Sequence, residues 1–272
     1  MPLALPLVVE PAALAAVLTD PGLLIVDLCQ PQNWQQLHIP GAVHVHPGEL
    51  VCGIPPASGK LPSLAQLNEL FSHIGYRPDQ HIVVYDDEGG GWAGRFIWTL
   101  DVIGHRHYSL LDGGLRSWYN ERHPVTGEIR EVETTSVNLT LHTDVIAELD
   151  TVLNSLKDPN VKIWDARSPE EYMGLRSGAA RAGHIPGAIN LDWLEVMDKN
   201  RNQRLLPLPV LREKLHQLGI SDGNTIITHC HSHHRSGLTY VVAKALGFKV
   251  LGYHGSFGEW GNDPNVPIEK QA

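Results

Sequence analysis

The chain has 272 residues, 42% of them hydrophobic, and a formal net charge of −9 at pH 7. That length allows one large domain or two of ordinary size, with ample apolar material for packed cores. An acidic chain without a Lys/Arg run excludes nonspecific nucleic-acid binding, and without about 18 consecutive apolar residues nothing is expected to span a membrane.

From the start of the chain, residues 1–9 are apolar but lack a basic n-region and a convincing cleavage site, so they read as mature protein. Val26-Asp27-Leu28 then precedes His38-Ile39-Pro40-Gly41-Ala42. The buried-strand pattern Ile82-Val83-Val84-Tyr85-Asp86 follows, then Ile103-Gly104-His105, then Gly113 with Trp118-Tyr119-Asn120. The same blocks return in the same order: Trp164-Asp165-Ala166 with His184-Ile185-Pro186-Gly187-Ala188, Ile226-Ile227-Thr228-His229-Cys230, Leu246-Gly247-Phe248, and Gly255 with Trp260-Gly261-Asn262. The chain is therefore a duplicated unit. The expected division is a first domain at 7–126, a polar, exposed connector at 127–143 and a second domain at 144–268.

In the second half strands are predicted at 162–165, 188–191, 225–229 and 250–253, with helices at 209–218 and 237–246. Strands alternating with helices predict an α/β fold around a mostly parallel sheet, with ligands at the C-terminal strand ends. Cys230 sits at such an end. A thiol between a buried strand and a helix N-terminus faces backbone N–H groups and the positive end of the helix dipole. Both favour the reactive thiolate. His231, Ser232, His233, His234, Arg235 and Ser236 share its loop, and the planar fork of Arg235 suits an oxyanion. Cys29 and Cys52 have no comparable setting and are read as inert. Three cysteines without framework spacing suit a reducing cytoplasm.

The repeated Gly-His-Ile-Pro-Gly-Ala type block, the strand–Cys–loop–Arg segment and the Gly…Trp block resemble tandem-domain rhodaneses, the thiosulfate:cyanide sulfurtransferases. The similarity runs from about residue 7 to 267, and the loop is most similar to bacterial rhodaneses with Cys-x-x-His-His-Arg. The resemblance implies two rhodanese domains, each a mostly parallel sheet flanked by helices. Only the second carries the nucleophile, Cys230, since Asp86 stands opposite it. Transfer of the outer sulfur of thiosulfate through a Cys230 persulfide to cyanide or another thiophilic acceptor is implied, with no cofactor, no metal and no membrane. A monomer is expected.

Other readings share these residues. His229-Cys230-x4-Arg235-Ser236 is one residue shorter than the phosphatase pattern, and a smaller ring of donors suits one sulfur better than a phosphoryl group. The dense histidines invite a metal reading, but adjacent side chains diverge and no second ligand cluster closes a site. The intact cysteine loop weighs against a non-catalytic binding module. Between Asp165 and His184 lie eight more residues than between Asp27 and His38, and they carry Arg176 and Arg181. Arg181 is a candidate for anion capture and Arg176 a weaker one. Their spacing departs from the paired arginines of 3-mercaptopyruvate sulfurtransferases, which remain the alternative. Trp193 is a candidate pocket wall, whereas Asp165 and His184 are expected to hold the fold. Gly89-Gly90-Gly91-Trp92-Ala93-Gly94 satisfies G-x-G-x-x-G, yet Asp86-Asp87-Glu88 put carboxylates where a pyrophosphate would lie. Duplication explains the segment better.

Overall fold

Leu23-Leu24-Ile25-Val26 and Ile82-Val83-Val84-Tyr85 are apolar on both faces, the pattern of strands covered by helices on either side. The computed structural model, which describes residues 3–270, shows both runs fully buried in one parallel sheet. Met1 and Pro2, the start of the apolar N-terminal stretch, lie outside the described residues.

The chain forms two compact units. The first comprises residues 3–50, Pro62–His142 and Asp198–Leu205. Its elements run β1 (Val8–Val9), α1 (Pro11–Ala15), β2 (Leu23–Asp27), α2 (Pro31–Gln36), β3 (Val43–His44), α3 (Leu64–His73), β4 (His81–Tyr85), α4 (Gly91–Val102), β5 (Tyr108–Leu111) and α5 (Gly114–Asn120). The sheet order is β1-β5-β4-β2-β3, with every pair parallel. Ser63 and Gln66 close a capping box on α3. Along α3 the connector is tied by backbone N–H groups of Thr135 and Val137 to Ser72 and of Leu139 to Asn68.

The second unit comprises Val51–Leu61, Thr143–Met197 and residues 206–270. It carries β6 (Ile146–Ala147), α6 (Leu149–Ser155), β7 (Val161–Asp165), α7 (Pro169–Tyr172) and β8 (Ile189–Asn190). β9 (Met197–Asp198) and β10 (Arg204–Leu205) stand outside both five-stranded sheets. Then follow α8 (Leu208–Gln217), β11 (Thr225–His229), α9 (Arg235–Ala245), β12 (Lys249–Tyr253) and α10 (Ser256–Trp260). The sheet order β6-β12-β11-β7-β8 repeats that of the first unit, again all parallel. β4 and β11 are thus the central strands, and β11 delivers Cys230 at its C-terminal end. Ile163, Ile185, Ile227, Tyr253, Phe257 and Trp260 pack the core beside it. Among the described residues no helix is long and apolar enough to cross a membrane.

Each unit therefore contains a short segment that the repeat assigns to the other half of the sequence: 51–61 in the second and 198–205 in the first.

Candidate active site

β11 register places His229 beside Asp165 of β7, and the next residue, Cys230, starts the loop into α9. The Cys230 side chain is fully buried. Its N–H faces Ser256 Oγ at 3.4 Å, and its carbonyl accepts from Phe257 N–H at 3.0 Å. Burial pushes the Cys230 thiol up. The Arg235 charge, the N–H and hydroxyl of Ser236 and the nearby His234 outweigh it and bring the thiol to about 7.

The loop is held from outside. The His231 carbonyl accepts from Gly258 N–H at 2.8 Å. His233 has φ +56°, an uncommon left-handed conformation for a residue with a side chain. Its Nδ1 lies 2.7 Å from Ser236 Oγ. Burial lowers the pKa of His231, whose ring lies against Gly178. The Trp193 and His234 rings sit 5.7 Å apart, so Trp193 does border the loop.

Arg235 is fixed by Glu171, with Nη1 2.6 Å from Oε2 and Nη2 3.0 Å from Oε1. Local sequence explains where that carboxylate comes from. Ser168-Pro169-Glu170-Glu171 places an N-cap serine, a first-turn proline and an N3 glutamate, and the capping box turns Glu171 back toward Ser168 N–H. Although burial opposes ionisation of Glu171, the Arg235 hydrogen bonds and charge hold its carboxyl at about 2.

Behind the loop Asp165 pairs with Arg167 through Nη2 at 2.6 Å and Nε at 2.9 Å. The Arg167 guanidinium lies 3.8 Å over the Phe257 ring and donates to Gly183 O. His184 stacks on Tyr172 at 3.8 Å and contacts the Tyr172 carbonyl through Nδ1. Both Asp165 and His184 are thus engaged in holding backbone and side chains of the fold.

The two arginines of the longer connection go different ways. Arg181 donates to the carbonyls of Val266, Trp260 and Asp263, so its guanidinium is engaged by the end of α10 and the chain that follows it. Arg176 is 70% exposed and reaches Glu171 at 3.5 Å, beside the Glu171–Arg235 pair. Glu171, Ser256 and Gly59, absent from the sequence candidates, do meet the loop. Glu171 was signalled by its capping box, whereas nothing local in sequence marks the other two.

The first unit shows what such a loop does when a carboxylate replaces the thiol. Asp86 Oδ1 accepts from the N–H groups of Glu88, Gly89 and Gly90 at 3.1, 3.1 and 2.7 Å, and Oδ2 from Ala93 at 3.0 Å. The loop is an anion nest filled by its own side chain. Within the Gly89–Gly94 segment the N–H groups of Gly89, Gly90 and Ala93 are thus already engaged. Cys29, elsewhere in this unit, is buried, and burial with neighbouring carboxylates raises its thiol pKa. Cys52, in the second unit, has its sulfur beside the carbonyls of Ala57 and Ser58.

Comparison with known proteins agrees with this architecture. The rhodanese-like domain pattern matches twice, over residues 10–121 and 148–263. The chain belongs to the rhodanese-like family. Over 266 residues it is 49% identical to the thiosulfate sulfurtransferase of Azotobacter vinelandii and 48% identical to that of Pseudomonas aeruginosa, with 97% of each chain covered in both cases. Among solved structures, the rhodanese-fold SseA of Escherichia coli, a 3-mercaptopyruvate sulfotransferase, matches with a TM-score of 0.82 at 25% identity. That match covers 93% of this chain and 99% of SseA.

Proposed function

We propose that this enzyme is a thiosulfate sulfurtransferase in which Cys230 is the sulfur carrier. The observation that carries the reading is a buried cysteine at the end of the central strand, in a loop whose Arg235 charge and Ser236 N–H and hydroxyl groups bring its thiol down to about 7. Relatives of 49% and 48% identity bearing that name support the choice of donor.

The Cys230 thiolate attacks the outer sulfur of thiosulfate. The sulfur–sulfur bond of the donor breaks and its electron pair leaves with sulfite, giving a persulfide on Cys230. A thiophilic acceptor such as cyanide then takes the terminal sulfur, forming thiocyanate and restoring the thiolate. Ser232, His233 and Ser236 line the persulfide side of the loop, while Arg235, His231, His234 and Trp193 border the donor. Arg235, held by Glu171, faces the sulfonate oxygens. Four residues between Cys230 and Arg235 leave a cradle suited to a sulfur atom rather than to a phosphoryl group. The protein acts as a cytoplasmic monomer with dissociable small or protein acceptors.

A paired-arginine clamp for 3-mercaptopyruvate finds no support here, since Arg181 is occupied by backbone carbonyls and leaves Arg176, exposed beside the Glu171–Arg235 pair, without its partner. Parallel kinetics with the two donors test the assignment. Thiosulfate is expected to give the higher kcat/KM, and a clear preference for 3-mercaptopyruvate contradicts it.

A further inference from the structure

Gly59 lies in the 51–61 segment of the second unit, far from Cys230 in sequence. A Cβ built on Gly59 would fall 2.2 Å from the Ser232 carbonyl oxygen, 2.6 Å from its carbon and 2.7 Å from Ser232 Cα. No side chain fits there. The φ of Gly59 is not in the left-handed region, so close approach, rather than backbone freedom, is what requires glycine at this position.

These three near-equal distances place Gly59 over the flat face of the Ser232 Cα–C–O group, so it packs on the main chain that leads into the His233 N–H. The preceding peptide is held as well, because the His231 carbonyl accepts from Gly258 N–H at 2.8 Å. In the first unit the equivalent N–H groups, those of Glu88 and Gly89, both donate to the anion at the loop's centre.

The segment itself is anchored. Lys60 Nζ pairs with Glu259 at 2.7 Å and with Glu148 at 3.1 Å. Leu61 N–H donates to His254 Nδ1 at 3.2 Å, and His254 Nε2 lies 3.1 Å from Glu148. Cys52 N–H to Lys60 O and Gly53 N–H to Ser58 O close the segment on itself.

We infer that Gly59, fixed by Lys60, is a positioning residue for sulfur transfer: its close packing on the Ser232 main chain keeps the His233 N–H, the counterpart of the Gly89 N–H that donates to Asp86, in place for the sulfur carried by Cys230. The segment that the sequence repeat assigns to the half without a nucleophile thereby sets the geometry of the catalytic loop. This deepens the sulfurtransferase reading and rests on it.

The test is made on the full chain with Gly59→Ala, Lys60→Met and, as a control on the same segment, Ile54→Ala, whose side chain is 68% exposed. Three quantities are measured: the rate of sulfur uptake from thiosulfate, the pH midpoint of Cys230 alkylation by iodoacetamide, and Tm. Gly59→Ala is expected to slow uptake by at least about tenfold, short of the roughly hundredfold lower end for losing an oriented donor outright, and to move the alkylation midpoint to higher pH. Lys60→Met shifts both in the same direction by a smaller factor, and Ile54→Ala shifts neither. If Gly59→Ala fails to fold, Lys60→Met decides alone. Wild-type uptake and alkylation midpoint in Lys60→Met, or in a folded Gly59→Ala, overturn the inference. Absence of sulfur uptake by the wild type instead overturns the underlying reading.

Discussion

Arg235 and Glu171 form a two-point ion pair between residues 64 positions apart, with Nη1–Oε2 at 2.6 Å and Nη2–Oε1 at 3.0 Å. The guanidinium that lowers the Cys230 pKa is thus itself held in one plane by a helix-capping carboxylate. Charge and orientation at the thiolate depend on a residue from outside its loop.

Glu171→Gln should therefore weaken both fold and site. Losing a partly buried charged hydrogen-bond pair is expected to cost about 1–3 kcal/mol at pH 7. The Glu171 carboxyl is held at about 2, below its ordinary 4.5, so its contribution is present above pH 4.5 and is lost as pH falls toward 2. Urea denaturation should show the gap between wild type and variant starting to close below pH 4.5. A gap that instead widens with acid contradicts the pairing.

Arg235→Ala should move the alkylation midpoint of Cys230 up from about 7 toward the ordinary thiol value of 9.0, because burial then meets less opposing charge. In the wild type, sulfur uptake should rise with pH through about 7 and level off above it. An alkylation profile unchanged by Arg235→Ala would remove Arg235 from the account of the thiolate.

Asp86 fills the nest of the first unit, and its replacement should expose that role. Asp86→Ala leaves the N–H groups of Glu88, Gly89, Gly90 and Ala93 without their acceptor, an expected loss of at least about 2 kcal/mol. Asp86→Asn can keep an oxygen toward the first three but sets an amide against Ala93, so its loss is intermediate. Equal stability of all three proteins by chemical denaturation would mean the nest does not need an anion.

Much of this was legible in sequence because the duplication could be read twice. The predicted strand at 225–229 coincides with β11, and the apolar run before Cys230 matches the run before Asp86, which the sheets place at equivalent central positions. Local signals also gave the helix after the loop. Contacts made by distant backbone were not legible. Neither composition nor spacing marks 51–61 as part of the second unit or 198–205 as part of the first, since those placements arise only when the sheets are packed. Arg181 illustrates the converse. Its type and position suit anion capture, but the carbonyls of Trp260, Asp263 and Val266 engage it instead.

The central claim is that Cys230 alone carries the sulfur, and intact-mass measurement after thiosulfate treatment tests it most directly. Wild type should gain one sulfur atom and release it to cyanide as thiocyanate in equal amount. A Cys29/Cys52 double substitution should behave the same way, while Cys230→Ala should gain nothing. Sulfur retained by Cys230→Ala, or a wild type whose mass is unchanged by thiosulfate, would contradict the account.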